Sequence, residues 1–145
     1  MTAPGGHHHG QHCFPIRIYY EDTDSGGIVY YANYLKFAER ARTEMLRECG
    51  FESHASNDQF GLGFVAQRCL AEYRRPARLD DMIEVRTRID TIRAASISLQ
   101  QDVYRDDILL VSMAIRLAMI DHKMKPTRLP KMLIEALSQQ YKVGN

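Results

Sequence analysis

The sequence predicts an α+β domain: one long helix packed on an antiparallel sheet. Three observations carry this. Residues 31–49 repeat their apolar positions every three or four residues, five other stretches read as strands, and four of those five follow one another with no helix between them. Consecutive strands without crossover helices pair as antiparallel neighbours, and an amphipathic helix must bury its apolar stripe against the sheet they form.

The elements follow in order. Residues 1–13 hold the run His7-His8-His9 with His12 and Cys13 among glycines, and read as a flexible, His-rich leader, so that the domain spans 14–145. Adjacent imidazoles in a Gly-rich tail do not converge as rigid ligands, so no metal site is expected there. Residues 14–20 alternate, with Ile16, Ile18 and Tyr20 on one face, as in a half-buried strand. Residues 21–27 carry turn chemistry in Asp22, Asp24, Ser25, Gly26 and Gly27. In the helix, Tyr34, Phe37, Ala38, Ala41, Met45 and Cys49 share a face, and Gly50 ends it.

Residues 51–63 read as a polar loop with one short helical turn. Residues 64–73 form a long strand that alternates poorly. Residues 82–90 point Ile83, Val85, Thr87 and Ile89 inward, and residues 96–104 do the same with Ile97, Leu99 and Val103. A turn at Arg105-Asp106-Asp107 leads to the strongest strand signal, in which Leu109, Val111, Met113, Ile115, Leu117 and Met119 alternate with smaller or polar residues. Pro130 at N1 starts a short helix with Met132, Leu133, Ala136 and Leu137 on its apolar side.

Composition narrows the function. The 145 residues suit one domain, and 19 Lys+Arg against 18 Asp+Glu leave a net charge of +1, which argues against nucleic acid as a partner. Cys13, Cys49 and Cys69 form no CxxC pair and no disulfide framework; Cys49 and Cys69 are expected to be inert core thiols, and a reducing, cytoplasmic setting is expected. No secretory signal is visible, and the longest apolar run, residues 108–120, is interrupted by Ser112 and Arg116 and too short for an integral membrane helix.

Chemistry concentrates in Tyr20-Glu21-Asp22-Thr23-Asp24-Ser25-Gly26-Gly27-Ile28-Val29-Tyr30-Tyr31-Ala32-Asn33-Tyr34. Two carboxylates and two glycines precede a helix whose first N–H groups are free to hold a developing negative charge. That layout suits acyl chemistry, with a carboxylate attacking or activating water and the helix start polarising a carbonyl. The same residues also fit a plain loop, with Asp22 or Asp24 capping a turn and Asn33 capping the helix. No Ser lies in a GxSxG setting; Ser53, His54 and Asp58 are close only in sequence, and His122 reads as a surface turn.

This stretch, followed by Phe37-Ala38-Glu39-Arg40-Ala41-Arg42-Thr43-Glu44-Met45-Leu46, resembles the 4-hydroxybenzoyl-CoA thioesterase family, and more narrowly its Tol–Pal-associated bacterial acyl-CoA thioesterases. Arg75-Pro76-Ala77-Arg78-Leu79-Asp80-Asp81 and Lys123-Met124-Lys125-Pro126 match that subgroup too, so the resemblance runs from about Pro15 to Pro130. It implies a hotdog fold, a long central helix wrapped by a five-stranded antiparallel sheet, in a homodimer or homotetramer with sites between subunits. It implies hydrolysis of acyl-CoA, or acyl–acyl carrier protein, without a metal or redox cofactor. The carboxylate of that family corresponds to Asp24, as nucleophile or as general base. Tyr31 stands where the family donates a backbone N–H to the thioester carbonyl; the subgroup commonly has His there. Tyr20 matches a Tyr near the carboxylate, although it also reads as a core strand aromatic. Gly27 belongs to the substrate-binding loop, and Arg93, Ser96 and Arg128 are the candidates for holding the coenzyme A phosphates, with Lys123 and Lys125 as further cations. The alternative function is an acyl-binding or scaffolding module serving acyl carrier protein or the Tol–Pal system. A hotdog dehydratase fits less well, because residues 21–32 contain no His.

Overall fold

The computed structural model describes residues 6–8, 10–52 and 61–144. In chain order these form β1 (Gly6–His8), β2 (Gln11–Arg17), a 3₁₀ turn (Tyr20–Asp22), α1 (Asn33–Glu48), β3 (Gly63–Tyr73), β4 (Met82–Ile92), β5 (Ser96–Arg105), β6 (Ile108–Ile120) and α2 (Lys131–Gln140). One antiparallel sheet has the order β1-β2-β4-β5-β6-β3. The five expected strands are all present, and the three-residue β1 adds a sixth at one edge.

The apolar stripe of α1 goes where its spacing requires. Tyr34, Phe37, Ala38, Ala41 and Met45 are buried against β2 and β4, meeting Ile83, Val85 and Ile89. Burial of such a stripe, rather than helix propensity, supplies most of a helix's stability in a protein. The helix begins at Asn33, two residues later than the periodicity suggested, with Gly50 just past its end at φ +84°.

Two strands depart from simple alternation. In β6 the register to β5 shifts, so that Val103 faces Val111 while Tyr104 faces Leu109. Leu110 is the extra residue, and it is buried while Leu109 is only half-buried, which corrects the inward row expected for this strand. β3 lies at the far edge, and α1 does not extend over it. Most of its side chains are therefore exposed, while Phe64 and Ala71 pack on the core, which explains its weak alternation and leaves Cys69, expected in the core, exposed.

Three further corrections concern the chain ends and Tyr20. Within the stretch 1–13 expected to be a flexible leader, Gln11–Cys13 belongs to the strand Gln11–Arg17 and Gly6–His8 pairs with it. His12 is fully buried, its Nε2 2.7 Å from a Glu48 carboxylate oxygen at the end of α1 and its ring edge-on to Tyr141. Strand β2 stops at Arg17, so Tyr20 is not a strand residue of the core; it opens the 3₁₀ turn at 81% exposure. At the other end, Pro130 caps α2 from outside and Met132 is 72% exposed, while Leu133 and Leu137 carry the buried side.

Candidate active site

The loop between β2 and α1 is a small hairpin with defined hydrogen bonds. Thr23 pairs with Val29, the Asp24 N–H donates to the Ile28 carbonyl at 2.9 Å, and the Tyr30 N–H donates to the Asp22 carbonyl at 3.0 Å. Residues 25–27 form its tip. The Gly27 N–H returns to the Asp24 carbonyl at 3.0 Å, and Gly27 takes φ +78°. Three-residue hairpin tips closed by a left-handed residue are a common turn form, and glycine occupies that position without strain. A Cβ at Gly27 would meet nothing within 4 Å, so the backbone angle, not close approach, requires the glycine here.

The two aspartates do different things. Asp22 accepts the Tyr19 N–H at 2.8 Å and shapes the 3₁₀ turn; its carbonyl takes the Asn33 side-chain amide at 2.8 Å, tying the turn to the first helical residue. Asn33 therefore anchors the helix start instead of capping it. Asp24 is exposed, and its Oδ1 accepts the Gly26 N–H at 2.8 Å. That bond holds the carboxyl group at the rim of the hairpin.

Tyr31 lies between the hairpin and α1. Its carbonyl receives the Tyr34 N–H, and among the described residues its own N–H meets no acceptor. Its ring is 60% exposed, 5.0 Å from Tyr30 and edge-on to Tyr73 at 5.9 Å. A cavity of about 240 Å³ opens beside it, walled by Ile28, Val29, Tyr34, Tyr73 and Pro76, with Arg74 and Arg75 also lining it. Burial raises the Tyr34 phenol above its usual range, while the hydrogen bond from the Ala77 N–H, 3.0 Å long, works against that shift. Burial likewise raises Tyr73. Both phenols are thus held neutral across ordinary pH. Tyr73, Arg74 and Arg75 went unassigned in the sequence: they lie some forty residues from the loop, and the pairing of Ile28 with Arg78 and the Val29 N–H bond to the Ala77 carbonyl bring the two segments together.

Arg93, Ser96 and Arg128 come together, but elsewhere. The Arg93 N–H donates to the Ser96 carbonyl at 2.8 Å in the β4–β5 turn, and the Leu129 N–H donates to Ala94 at 2.9 Å. Ser96 is opposite Ala118, which is opposite Val65, so this cluster is at the Gly63 end of β3. Tyr31 packs at the Tyr73 end. β3 has eleven residues, so its two ends are about 33 Å apart at the usual rise. Lys123 and Lys125 donate backbone N–H groups to Asp121 in an exposed turn, and His122 is exposed there as expected. Ser53, His54 and Asp58 are outside the described residues.

The sheet order and this site invite comparison with known proteins. Residues 19–137 match the model of the thioesterase-like superfamily. The chain belongs to the thioesterase-like superfamily. It is 42% identical over 128 residues to the acyl-CoA thioester hydrolase YbgC of Escherichia coli O6:H1, covering 87% of this chain and 95% of that one. It is 41% identical over 119 residues to the acyl-CoA thioesterase YbgC of Haemophilus influenzae, covering 81% and 88%. Among solved structures, a probable thioesterase from Bartonella henselae superposes with a TM-score of 0.79 at 35% identity, covering 83% of this chain and 99% of that one. The fold of this superfamily member is the hotdog fold that the motifs implied. No described helix is long and apolar enough to cross a membrane.

Proposed function

We propose that this chain hydrolyses acyl-CoA thioesters to a free acid and coenzyme A, with Asp24 as the catalytic carboxylate. The observation that carries this reading is that one hairpin-to-helix segment presents both an exposed, hydrogen-bonded Asp24 carboxylate and, just before α1, a Tyr31 N–H with no acceptor among the described residues. The superfamily membership and the names of the YbgC relatives support the substrate class.

The chemistry follows from those groups. A thioester carbonyl seated over the helix start would accept the Tyr31 N–H, which points where negative charge grows as the tetrahedral centre forms. One such donor is worth about 10²–10³ in rate. Asp24 removes a proton from a water that attacks the carbonyl, or attacks it directly to form an enzyme-bound mixed anhydride that water then hydrolyses; on either route the C–S bond breaks and the thiolate leaves as coenzyme A, taking up the proton. The role of Tyr31 is carried by the backbone, so Tyr serves where His stands in the subgroup. Tyr20, 81% exposed in the 3₁₀ turn, does not line the cavity.

The complete site belongs to two copies. β3 is a long edge strand with Val65, Leu70 and Tyr73 exposed, and such an edge is a template for pairing with another chain. A two-fold antiparallel pair of β3 strands sets the Gly63 end of one against the Tyr73 end of the other. Arg93, Ser96 and Arg128 of a second copy then approach Asp24 and Tyr31, and their two guanidinium groups suit the phosphates of coenzyme A. The chain is accordingly a homodimer or a higher even oligomer.

The direct test is thiol release over a panel of short, long and aromatic acyl-CoAs. Turnover of at least one acyl class with stoichiometric free acid is expected; no turnover of any of them would contradict this function.

A further inference from the structure

The hairpin that carries Asp24 does not stand alone. Its returning strand leans on residues 76–78, and those residues are themselves held from below. The Val29 N–H donates to the Ala77 carbonyl at 2.9 Å, and Ile28 bridges Arg78. The Ala77 N–H donates to the buried Tyr34 hydroxyl at 3.0 Å. Arg105, the last residue of β5, donates through one Nη1 to the Pro76 carbonyl at 3.2 Å and to the Asp81 carboxylate at 2.9 Å. The same Asp81 oxygen takes the Arg78 N–H at 2.8 Å. Arg105 and Asp81 are both partly buried, with side-chain exposures of 29% and 24%. A planar guanidinium that holds a carbonyl and a carboxylate together fixes two backbone segments at once.

We propose that Arg105, Asp81 and the Tyr34 hydroxyl are positioning residues for Asp24: they hold residues 76–78 as a ledge, and the ledge sets where the hairpin presents its carboxylate. This rests on the reading of Asp24 as the catalytic carboxylate. The path is short and continuous, from Arg105 to Pro76, Ala77, Val29 and Ile28, and thence through the 2.9 Å bond between Ile28 and Asp24. Arg105 and Asp81 lie outside the cavity lining, and the Tyr34 hydroxyl, though its ring walls the cavity, accepts the Ala77 N–H. Each acts by keeping Asp24 within a fraction of an ångström of its place, and misplacement by about 1 Å costs a catalytic group on the order of 10²-fold.

The test is a kinetic cycle. Arg105→Met, Arg105→Lys and Tyr34→Phe are each made alone and together with Asp24→Asn, and kcat and KM are measured beside the melting temperature. Arg105→Met is expected to lower kcat about 10- to 100-fold with KM nearly unchanged. Arg105→Lys keeps a cationic donor for Asp81 and Pro76 but on a shorter side chain, and should recover part of the loss. In the Asp24→Asn background, Arg105→Met should cost nothing further, because its effect runs through the missing carboxylate. Full kcat in a folded Arg105→Met protein, or an equal fold-loss in both backgrounds, would overturn the inference. If Arg105→Met does not fold, Tyr34→Phe decides by the same comparison in the two backgrounds. The two readings separate cleanly: Asp24→Asn at full activity contradicts the carboxylate role itself, whereas an inactive Asp24→Asn beside an unimpaired Arg105→Met and Tyr34→Phe contradicts the ledge alone.

Discussion

The Asp24 carboxylate accepts the Gly26 N–H at 2.8 Å, so the exposed acid is fastened to the tip of its own hairpin. One oxygen is spent on the turn and the other remains open to solvent and substrate. A group that looks like a turn-former and a group that looks like a catalyst are here the same carboxylate. The two readings that the sequence left open are compatible, because the turn bond orients the acid.

That geometry depends on Gly27. At φ +78° an L-residue is strained, and nothing near the position would clash with a side chain. Gly27→Val should therefore destabilise the protein by about 1–2 kcal/mol and lower kcat, while Gly27→Asn should lose less than half as much. Denaturant unfolding and thiol-release kinetics on both variants check the order.

The proposed site between two copies makes a complementation prediction. Asp24→Asn and Arg128→Ala are each expected to be poorly active alone. Mixed after dissociation and reassembly, heterodimers carry one intact Asp24 facing one intact Arg128. Random pairing makes half the dimers mixed, each with one of two sites whole, so activity should return to about a quarter of wild type. A mixture no better than the mean of its components would place Arg128 outside the site.

At the opposite end of α1, His12 and Glu48 tie β2 to the helix, beside Tyr141. His12→Ala leaves a cavity and removes the contact to the Glu48 carboxylate. A loss of about 2–3 kcal/mol is expected, read as a lower denaturation midpoint with kcat unchanged. An unchanged midpoint would mean that the N-terminal strand contributes little to stability.

The buried thiols set an alkaline limit. Burial pushes Cys13 and Cys49 up to about 11 from an ordinary 9.0, with nearby Glu84 and Glu48 adding to the shift. Both release their protons more readily unfolded than folded. Stability from this source is whole below pH 9 and is lost as pH rises toward 11. Urea midpoints measured at pH 8, 9, 10 and 11 should fall over that window, and Cys49→Ala should flatten part of the fall. At pH 8 a thiol reagent should leave Cys13 and Cys49 unmodified until the protein unfolds.

What the sequence revealed, and what it hid, divides along physical lines. The face of α1 and the inward rows of β4 and β5 were legible because burial on one side writes a period into the chain. The extra residue Leu110 was not, because a bulge changes pairing without changing composition. Cys69 and Tyr20 read as core because local pattern does not say which strand is at an edge or where a strand stops. His12 was hidden in a His-rich run, and its burial depends on Glu48, thirty-six residues away. In the site, Asp24, Gly27 and Tyr31 were legible as one contiguous motif. Arg105, Asp81 and Tyr34 were not, because their connection to Asp24 runs through backbone groups of residues 76–78, and backbone groups leave no mark in a sequence.

The central claim is that Asp24 performs the hydrolysis, and it is tested most directly by comparing wild type with Asp24→Asn. The substitution keeps the Oδ1 acceptor for Gly26 and removes the charge, so the hairpin should hold its shape. With the best acyl-CoA of the panel, kcat should fall at least about 100-fold while the melting temperature and oligomeric state stay as they are. Undiminished thiol release by the folded variant would contradict the account.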